Sequence, residues 1–182
     1  MHWVGPKLCY SIGRDGITIE DSYGVKEDDI VVFCFGEIDC RHHVYRYSQN
    51  GTGHVVVIDY IVDAYFKSIC TAVSKFKSLR TCVYNVVPAI EAAGIPVNSE
   101  HPFLGTDDER QMYVRYFNRK LKEKCAEYNY TFVDVHDSYT NARGFISKEL
   151  NDGSVHIKEP KFLKMFVDTH LRPTRPSLCG DA

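Results

Sequence analysis

One apolar run constrains the fold more than any other feature of the sequence. Residues 30–35 read Ile-Val-Val-Phe-Cys-Phe and end at Gly36, and five Glu, Asp, Arg or His side chains follow within the next seven residues. A short, continuously apolar run of this kind is typical of a strand buried on both faces of a parallel sheet. Open α/β sheets place their ligand sites just outside the carboxyl ends of such strands. The sequence therefore predicts a parallel α/β fold with a functional site near Gly36.

Strands and helices alternate along the rest of the chain. Apolar runs predict strands at residues 8–12, 30–35, 82–87 and 131–135. Apolar spacings of three and four predict helices at residues 54–77, capped by Thr52, at 106–128, opened by a capping box, and at 161–169. Turn residues predict loops at 41–53, 89–105 and 137–153. This alternation predicts a parallel sheet with helices on both of its faces.

Composition excludes several classes of protein. At 182 residues we expect one domain over 1–182, with a frayed tail at 172–182. A formal net charge of −2 argues against a nucleic-acid or membrane-surface partner. The sequence has no apolar run of roughly 18 residues and no signal-peptide pattern at its start. The seven cysteines include no Cys-x-x-Cys pair, and Cys34, Cys70 and Cys82 lie in apolar segments. We therefore expect buried, reduced thiols and a cytoplasmic location.

A series of motifs resembles the SGNH/GDSL hydrolase family across residues 28–170. One strand ends in the Gly-x-x-Asp block Gly36–Asp39, the next ends at Pro88, and a late Asp152-Gly153 is followed closely by His156. Further phrases fit in the same order at residues 105–110, 132–135 and 144–146. The resemblance implies a flavodoxin-like, three-layer α/β/α sandwich with a mainly parallel sheet. It also implies hydrolysis or transfer of an acyl group, often on glycans or lipids.

The resemblance also assigns roles at the site. His156 would be the general base and Asp152 the carboxylate that orients it, because a serine hydroxyl needs a positioned imidazole to take its proton. Gly36 would contribute to the oxyanion hole. We expect Glu37, Asp39 and Arg41, at the end of the strand, to contact a small-molecule or glycan ester.

Three features depart from the family pattern. Ile38 stands where the family has an asparagine that donates to the oxyanion, and His156 follows Asp152 by four residues where three is usual. The sequence has no Gly-Asp-Ser block, so we expect a domain without the family's first strand and nucleophile turn. Ser11 and Ser22 precede the first long apolar run, but neither lies on a clear strand-to-helix turn.

Two functions therefore stay open. One is an esterase or acyltransferase acting on an ester such as an O-acylated carbohydrate, and the other is a non-catalytic SGNH-like module that binds a glycan. A nucleotide-binding protein is disfavoured because the sequence has no glycine-rich phosphate loop. Cys40, His42 and His43 offer metal ligands beside the carboxylates, but neighbouring side chains on an extended chain point apart. We predict no metal and no other cofactor, and we expect structural or exposed positions for the histidines elsewhere: His54, His101 and His136.

Overall fold

Three parallel strands form the sheet in the computed structural model, which describes residues 6–96 and 99–171. The strands are β1 (Ile30–Phe33), β2 (Arg80–Tyr84) and β3 (Thr131–Val133), in the order β1-β2-β3. Ile30 pairs with Arg80, and Cys82 pairs with Thr131. The prediction of an α/β fold with a parallel sheet is confirmed. The tail predicted at 172–182 lies outside the described residues.

Within residues 6–96 and 99–171, six α-helices and four single turns connect and flank these strands. The α-helices are α1 (Cys9–Asp15), α2 (Glu20–Tyr23), α3 (Val44–Ser48), α4 (His54–Val73), α5 (Asp107–Glu127) and α6 (Lys161–Phe166). The short turns are π-helical at Asp39–His43 and Val167–Leu171 and 3₁₀-helical at His136–Tyr139 and Lys148–Leu150. Within the described ranges no helix is both long and apolar enough to span a membrane.

Each face of the sheet carries its own buried cluster, because successive strand residues point to opposite faces. Phe33 and Val83 belong to the larger cluster, with residues of α1, α4 and α5. Cys82 and Tyr84 belong to the smaller cluster, which α6 and Leu171 complete. Helices therefore pack on both faces of the sheet.

Helix α4 forms because its apolar residues recur at intervals of three and four. Its buried residues are Val57, Ile58, Ile61, Val62, Tyr65, Phe66, Ile69 and Ala72. The predicted helix is confirmed, although it ends at Val73 rather than at Lys77. The predicted cap at Thr52 is wrong, since Gly53 occupies the N-cap position with φ +74° and no side-chain hydrogen bond closes it.

The strand predicted at residues 8–12 is wrong, because this segment is the helix α1. Its buried residues, Cys9 and Ile12, are three apart, which suits one helical face. The backbone N–H groups of Cys9 and Tyr10 donate to the side chain of Asp39. The unpaired N–H groups at the start of this helix are thus satisfied by a residue about thirty positions away, and no local sequence pattern predicts it.

Two further predictions also need correction. The loop predicted at 41–53 is partly helical, because a π-helical turn through His43 continues into α3. Of the three cysteines expected to be buried, Cys82 is buried, whereas Cys34 and Cys70 are exposed. Cys34 directly follows β1, and Cys70 lies on α4.

The capping box before α5 is confirmed. The hydroxyl of Thr106 accepts a hydrogen bond from the backbone N–H of Glu109 at 3.2 Å, and the Glu109 carboxylate accepts from the N–H of Thr106 at 2.7 Å. These reciprocal bonds satisfy two of the unpaired donors at the helix start. They fix the end of the long loop at 89–105, which forms one wall of the candidate site.

Candidate functional site

The carboxyl ends of the three strands are tied into one rim. The side chain of Asn118 accepts from the N–H of Val86 at 2.7 Å and donates to its carbonyl at 2.9 Å. Asn85 is 1% exposed and accepts from the N–H of Val135 at 2.8 Å. Gly36 follows β1 with φ +113°, and a Cβ there would lie 2.6 Å from Val86 Cγ2. Only glycine allows the chain beyond β1 to approach β2 so closely.

A narrow cleft opens at this rim. Its free volume is about 20 Å³, which is enough for about one water molecule. Its lining residues are Glu37, Cys40, Arg41, Val87, Pro88, Ala89, Ile90, Phe103, Arg110, Val114 and Val155. Val155 lies between Asp152 and His156 in the sequence. The cleft therefore joins the segment after β1 to the loop that carries both predicted catalytic residues.

Most of the hydrogen-bond donors of Arg41 bind other groups of the protein. Its guanidinium binds both carboxylate oxygens of Glu37, at 2.6 and 3.1 Å, and also donates to the carbonyl of His101. The same guanidinium lies 5.5 Å from the ring centre of Phe103. Arg41 is 6% exposed, so this ion pair is largely shielded from water. The substrate contacts predicted for Glu37 and Arg41 stay predictions.

A second arginine holds the same loop from the other side. Arg110 is 3% exposed, donates to the carbonyls of Leu104 and Gly105, and pairs with Asp107. Its guanidinium lies 5.0 Å from the ring centre of Phe103. Phe103 thus packs against two cations, each balanced by a carboxylate, and the loop end is fixed at the cleft.

Asp39 has a structural role at the start of α1, and the substrate contact predicted for it stays a prediction. It is 0% exposed, and its two oxygens accept the N–H groups of Cys9 at 2.7 Å and Tyr10 at 3.1 Å. Burial raises the pKa of this carboxyl to about 7, against the opposing effect of the two N–H donors. Asp39 therefore caps α1 and does not face the cleft.

Asp152 and His156 come together on one closed loop. Asn151 and Ile157 form an antiparallel bridge at its base, and the Asp152 N–H donates to the His156 carbonyl at 3.2 Å. His156 Nδ1 lies 3.5 Å from Asp152 Oδ2, and the His156 side chain is 73% exposed. The Ser154 hydroxyl lies closer to both, at 2.6 Å from Asp152 Oδ1 and 2.9 Å from His156 Nδ1.

Hydrogen bonds from Ser154 stabilise the charged form of Asp152. The backbone N–H of Ser154 donates to Asp152 Oδ1 at 2.8 Å, in addition to its hydroxyl. Together with the nearby imidazole of His156, these donors lower the pKa of Asp152, and the hydroxyl contributes most. Asp152 is therefore a carboxylate at neutral pH, as a residue that orients an imidazole must be.

Of the two serines considered from the sequence, Ser11 has a local structural role. The Ser11 hydroxyl donates to the Leu8 carbonyl at 2.9 Å and accepts from the Leu8 N–H at 3.2 Å, which gives it a capping role in α1. Ser22 lies in α2, and its side chain is outside the described part of the structure.

His43 packs against two tyrosine rings. Its ring centre lies 4.3 Å from that of Tyr10 and 4.4 Å from that of Tyr47, with tilted ring planes, and burial lowers its pKa to about 4. Among the described residues, no group of three or more His, Cys, Asp or Glu side chains could hold a metal. His136, expected to be structural or exposed, has its Nδ1 3.0 Å from Asp137.

Sequence reasoning missed three residues that shape the site. Phe103 and Arg110 are far from both motifs in the sequence, and no local pattern marks them as part of the cleft. Ser154 lies within the predicted Asp-His segment, and its two-residue spacing from Asp152 and from His156 is a signal that could have found it.

Comparison with known proteins supports the fold only. No family model matches the chain, and no curated protein matches it. A solved structure of a Streptococcus pneumonia protein, provisionally named a platelet activating factor, is similar with a TM-score of 0.55 and 15% sequence identity. The match covers 76% of this chain and 59% of the streptococcal chain. The chain thus shares an α/β fold with that protein and spans little more than half of its length.

Proposed function

We propose that this chain is an SGNH-like esterase or acyltransferase that acts on an ester such as an O-acylated carbohydrate. One observation carries the proposal. Val155, from the loop of Asp152 and His156, lines the same cleft as Glu37, which directly follows Gly36. In open α/β sheets this position, at the carboxyl ends of the strands, is where ligands bind.

The proposed chemistry follows a serine hydrolase. His156 Nε2 takes the proton of the hydroxyl of a serine that the sequence does not identify, as the serine oxygen attacks the ester carbonyl. His156 later returns a proton to the leaving alcohol. The Gly36 backbone N–H stabilises the negative charge that develops on the carbonyl oxygen. A water, or a second alcohol in acyl transfer, then attacks the acyl-enzyme with His156 again as the base. Asp152 keeps the imidazole in the required orientation.

The cleft favours a small acyl group. Val87, Ala89 and Phe103 supply apolar walls, whereas Glu37 is partly exposed at the rim and can accept hydrogen bonds from hydroxyl groups. The limited free volume disfavours a long acyl chain, and the alcohol portion then lies outside the cleft. This arrangement supports an acylated sugar as the substrate class. We propose a cytoplasmic enzyme without a cofactor, and without a nucleic-acid or membrane partner.

Hydrolysis of small esters by matched histidine variants tests this function. We expect wild-type protein to release the alcohol from aryl acetates and acetylated sugars, and His156→Ala to lose at least 100-fold in kcat/KM, since general base catalysis contributes about 10²–10⁴-fold. His170→Ala is the control, because His170 is an exposed histidine near the end of the described chain that packs against Phe166. Equal activity in the two variants would contradict the proposal.

The glycan-binding module remains the alternative outcome of the same experiment. If folded wild-type protein hydrolyses none of these esters but binds acetylated sugars, the cleft is a binding site without turnover. Isothermal titration with an acetylated sugar and with its deacetylated form distinguishes this outcome from a protein that recognises neither.

A further inference from the structure

The Ser154 hydroxyl lies between the carboxylate and the imidazole of the proposed site. Its oxygen is 2.6 Å from Asp152 Oδ1 and 2.9 Å from His156 Nδ1. The direct separation of His156 Nδ1 from Asp152 Oδ2 is 3.5 Å, which is long for a hydrogen bond between nitrogen and oxygen. The shortest hydrogen-bonded connection from Asp152 to His156 therefore runs through Ser154.

A hydroxyl has one proton to donate, so the two contacts cannot have the same direction. Donation to a carboxylate is the stronger of the two options, and a distance of 2.6 Å is typical of such a charge-assisted bond. The Ser154 oxygen is then left to accept, and His156 Nδ1 must carry the proton. His156 Nε2 keeps its lone pair, which is the state required of a general base.

We infer that Ser154 is a positioning residue that connects Asp152 to His156 and holds the imidazole in its Nδ1–H form. This inference rests on the proposed function of His156 as the base. It also accounts for the spacing of four residues between Asp152 and His156, since the added length is bridged by a hydroxyl and not closed by direct contact.

The loop keeps Ser154 in this place through its backbone. The Ser154 N–H donates to Asp152 Oδ1 at 2.8 Å, and the Ser154 carbonyl accepts from the Asn151 side chain at 2.8 Å. Asn151 Oδ1 also accepts the Gly153 N–H at 2.8 Å. Both peptide groups of Ser154 are thus fixed by neighbouring side chains, so removal of the hydroxyl leaves the loop supported.

Nitrogen-15 NMR of the imidazole tests the inference without reference to activity. In protein labelled at histidine, we expect wild-type His156 to be protonated at Nδ1 when neutral, and Ser154→Ala to shift the population toward the Nε2–H form that free histidine prefers. Ser154→Thr retains the hydroxyl and should restore the Nδ1–H form. Ser147→Ala is the matched control, because Ser147 donates to Glu149, two residues away, at 2.7 Å.

Kinetics supply the second reading. A hydrogen bond to a charged group contributes about 1.5–3 kcal/mol, so Ser154→Ala should lower kcat by about 10- to 100-fold with little change in KM. An unchanged His156 tautomer in Ser154→Ala overturns the inference, whether or not the protein hydrolyses esters. Covalent labelling of Ser154 itself by a fluorophosphonate also overturns it, because Ser154 would then be the nucleophile. A missing esterase activity in wild type refutes only the proposed function, and the tautomer still decides the role of Ser154.

Discussion

Asp39→Asn removes a titrating group from the protein interior while it keeps the size of the side chain. In the wild type, both carboxylate oxygens accept backbone N–H groups, those of Cys9 and Tyr10 at the start of α1. The asparagine retains one acceptor and turns an amide N–H₂ toward the other donor. One buried N–H then has no partner, which costs about 1–3 kcal/mol of unfolding free energy.

The pH dependence of this cost follows from the direction of the Asp39 pKa shift. Burial raises the pKa from 3.8 to about 7, so the folded state holds the proton more tightly than the unfolded chain. The stability contributed by protonated Asp39 is fully present below pH 4 and is lost as the pH rises toward 7. Between pH 5 and pH 8 the wild type should lose roughly 2–3 kcal/mol through this group, and the non-titrating Asp39→Asn variant should lose none of it.

Urea unfolding of both proteins at pH 5 and pH 8 measures this difference. We expect the wild type to be more stable than Asp39→Asn by a clearly larger margin at pH 5 than at pH 8. Asp39→Ala serves as a second variant and should be destabilised at both values, because two buried N–H groups lose their acceptors. A margin that is the same at pH 5 and pH 8 would refute the raised pKa, and a cost below about 0.5 kcal/mol for Asp39→Ala would refute the capping role.

Three further changes test the fold around the cleft. In thermal unfolding, Gly36→Ala should lower the free energy of unfolding by more than about 2 kcal/mol, because the new Cβ would meet a neighbouring side chain at 2.6 Å. Gly16→Ala is the control and should cost only about 1 kcal/mol, because Gly16 also has a positive φ but faces open space. Thr106→Ala should cost about 1 kcal/mol in urea unfolding through loss of the capping box, and a neutral result would contradict that bond. Arg41→Ala should speed amide hydrogen exchange at Leu104, because the loop loses the hydrogen bond from the guanidinium to the His101 carbonyl. The Leu104 N–H donates to the Arg41 carbonyl and therefore reports on this loop. Unchanged exchange would show that the guanidinium does not hold the loop.

The parallel sheet was predictable because its signal is local and strong. Short, continuously apolar runs are typical of strands in a parallel sheet that is covered on both faces. The run at 30–35 and the runs that form β2 and β3 are of this kind. Helix α5 was equally predictable, since Thr106 and Glu109 carry the signal for its start within four residues. In each case, the residues that decide the structure are neighbours in the sequence.

Helix α1 shows where local reasoning fails. Its first N–H groups depend on Asp39, and the apolar residues from 8 to 12 fit a short strand as well as one helical face. The same carboxylate looked like a site residue because it follows β1 in a cluster of ionisable side chains. The helical form of α1 and the buried position of Asp39 both depend on a tertiary contact, and no local sequence pattern marks that contact.

The candidate site is divided in a similar way. Asp152, His156 and Gly36 could be proposed from order and spacing, and the cleft brings their two segments together. The packing of Phe103 against two arginines could not be predicted from the sequence. The three residues come from a loop and two helical segments that meet only after folding.

The central claim, that His156 activates a serine at this rim, is tested most directly by fluorophosphonate labelling read by peptide mass spectrometry. We expect one labelled serine in the wild type and loss of that label in His156→Ala, with His170→Ala labelled as in the wild type. Absence of labelling in folded wild-type protein, or a label that persists in His156→Ala, would contradict the claim.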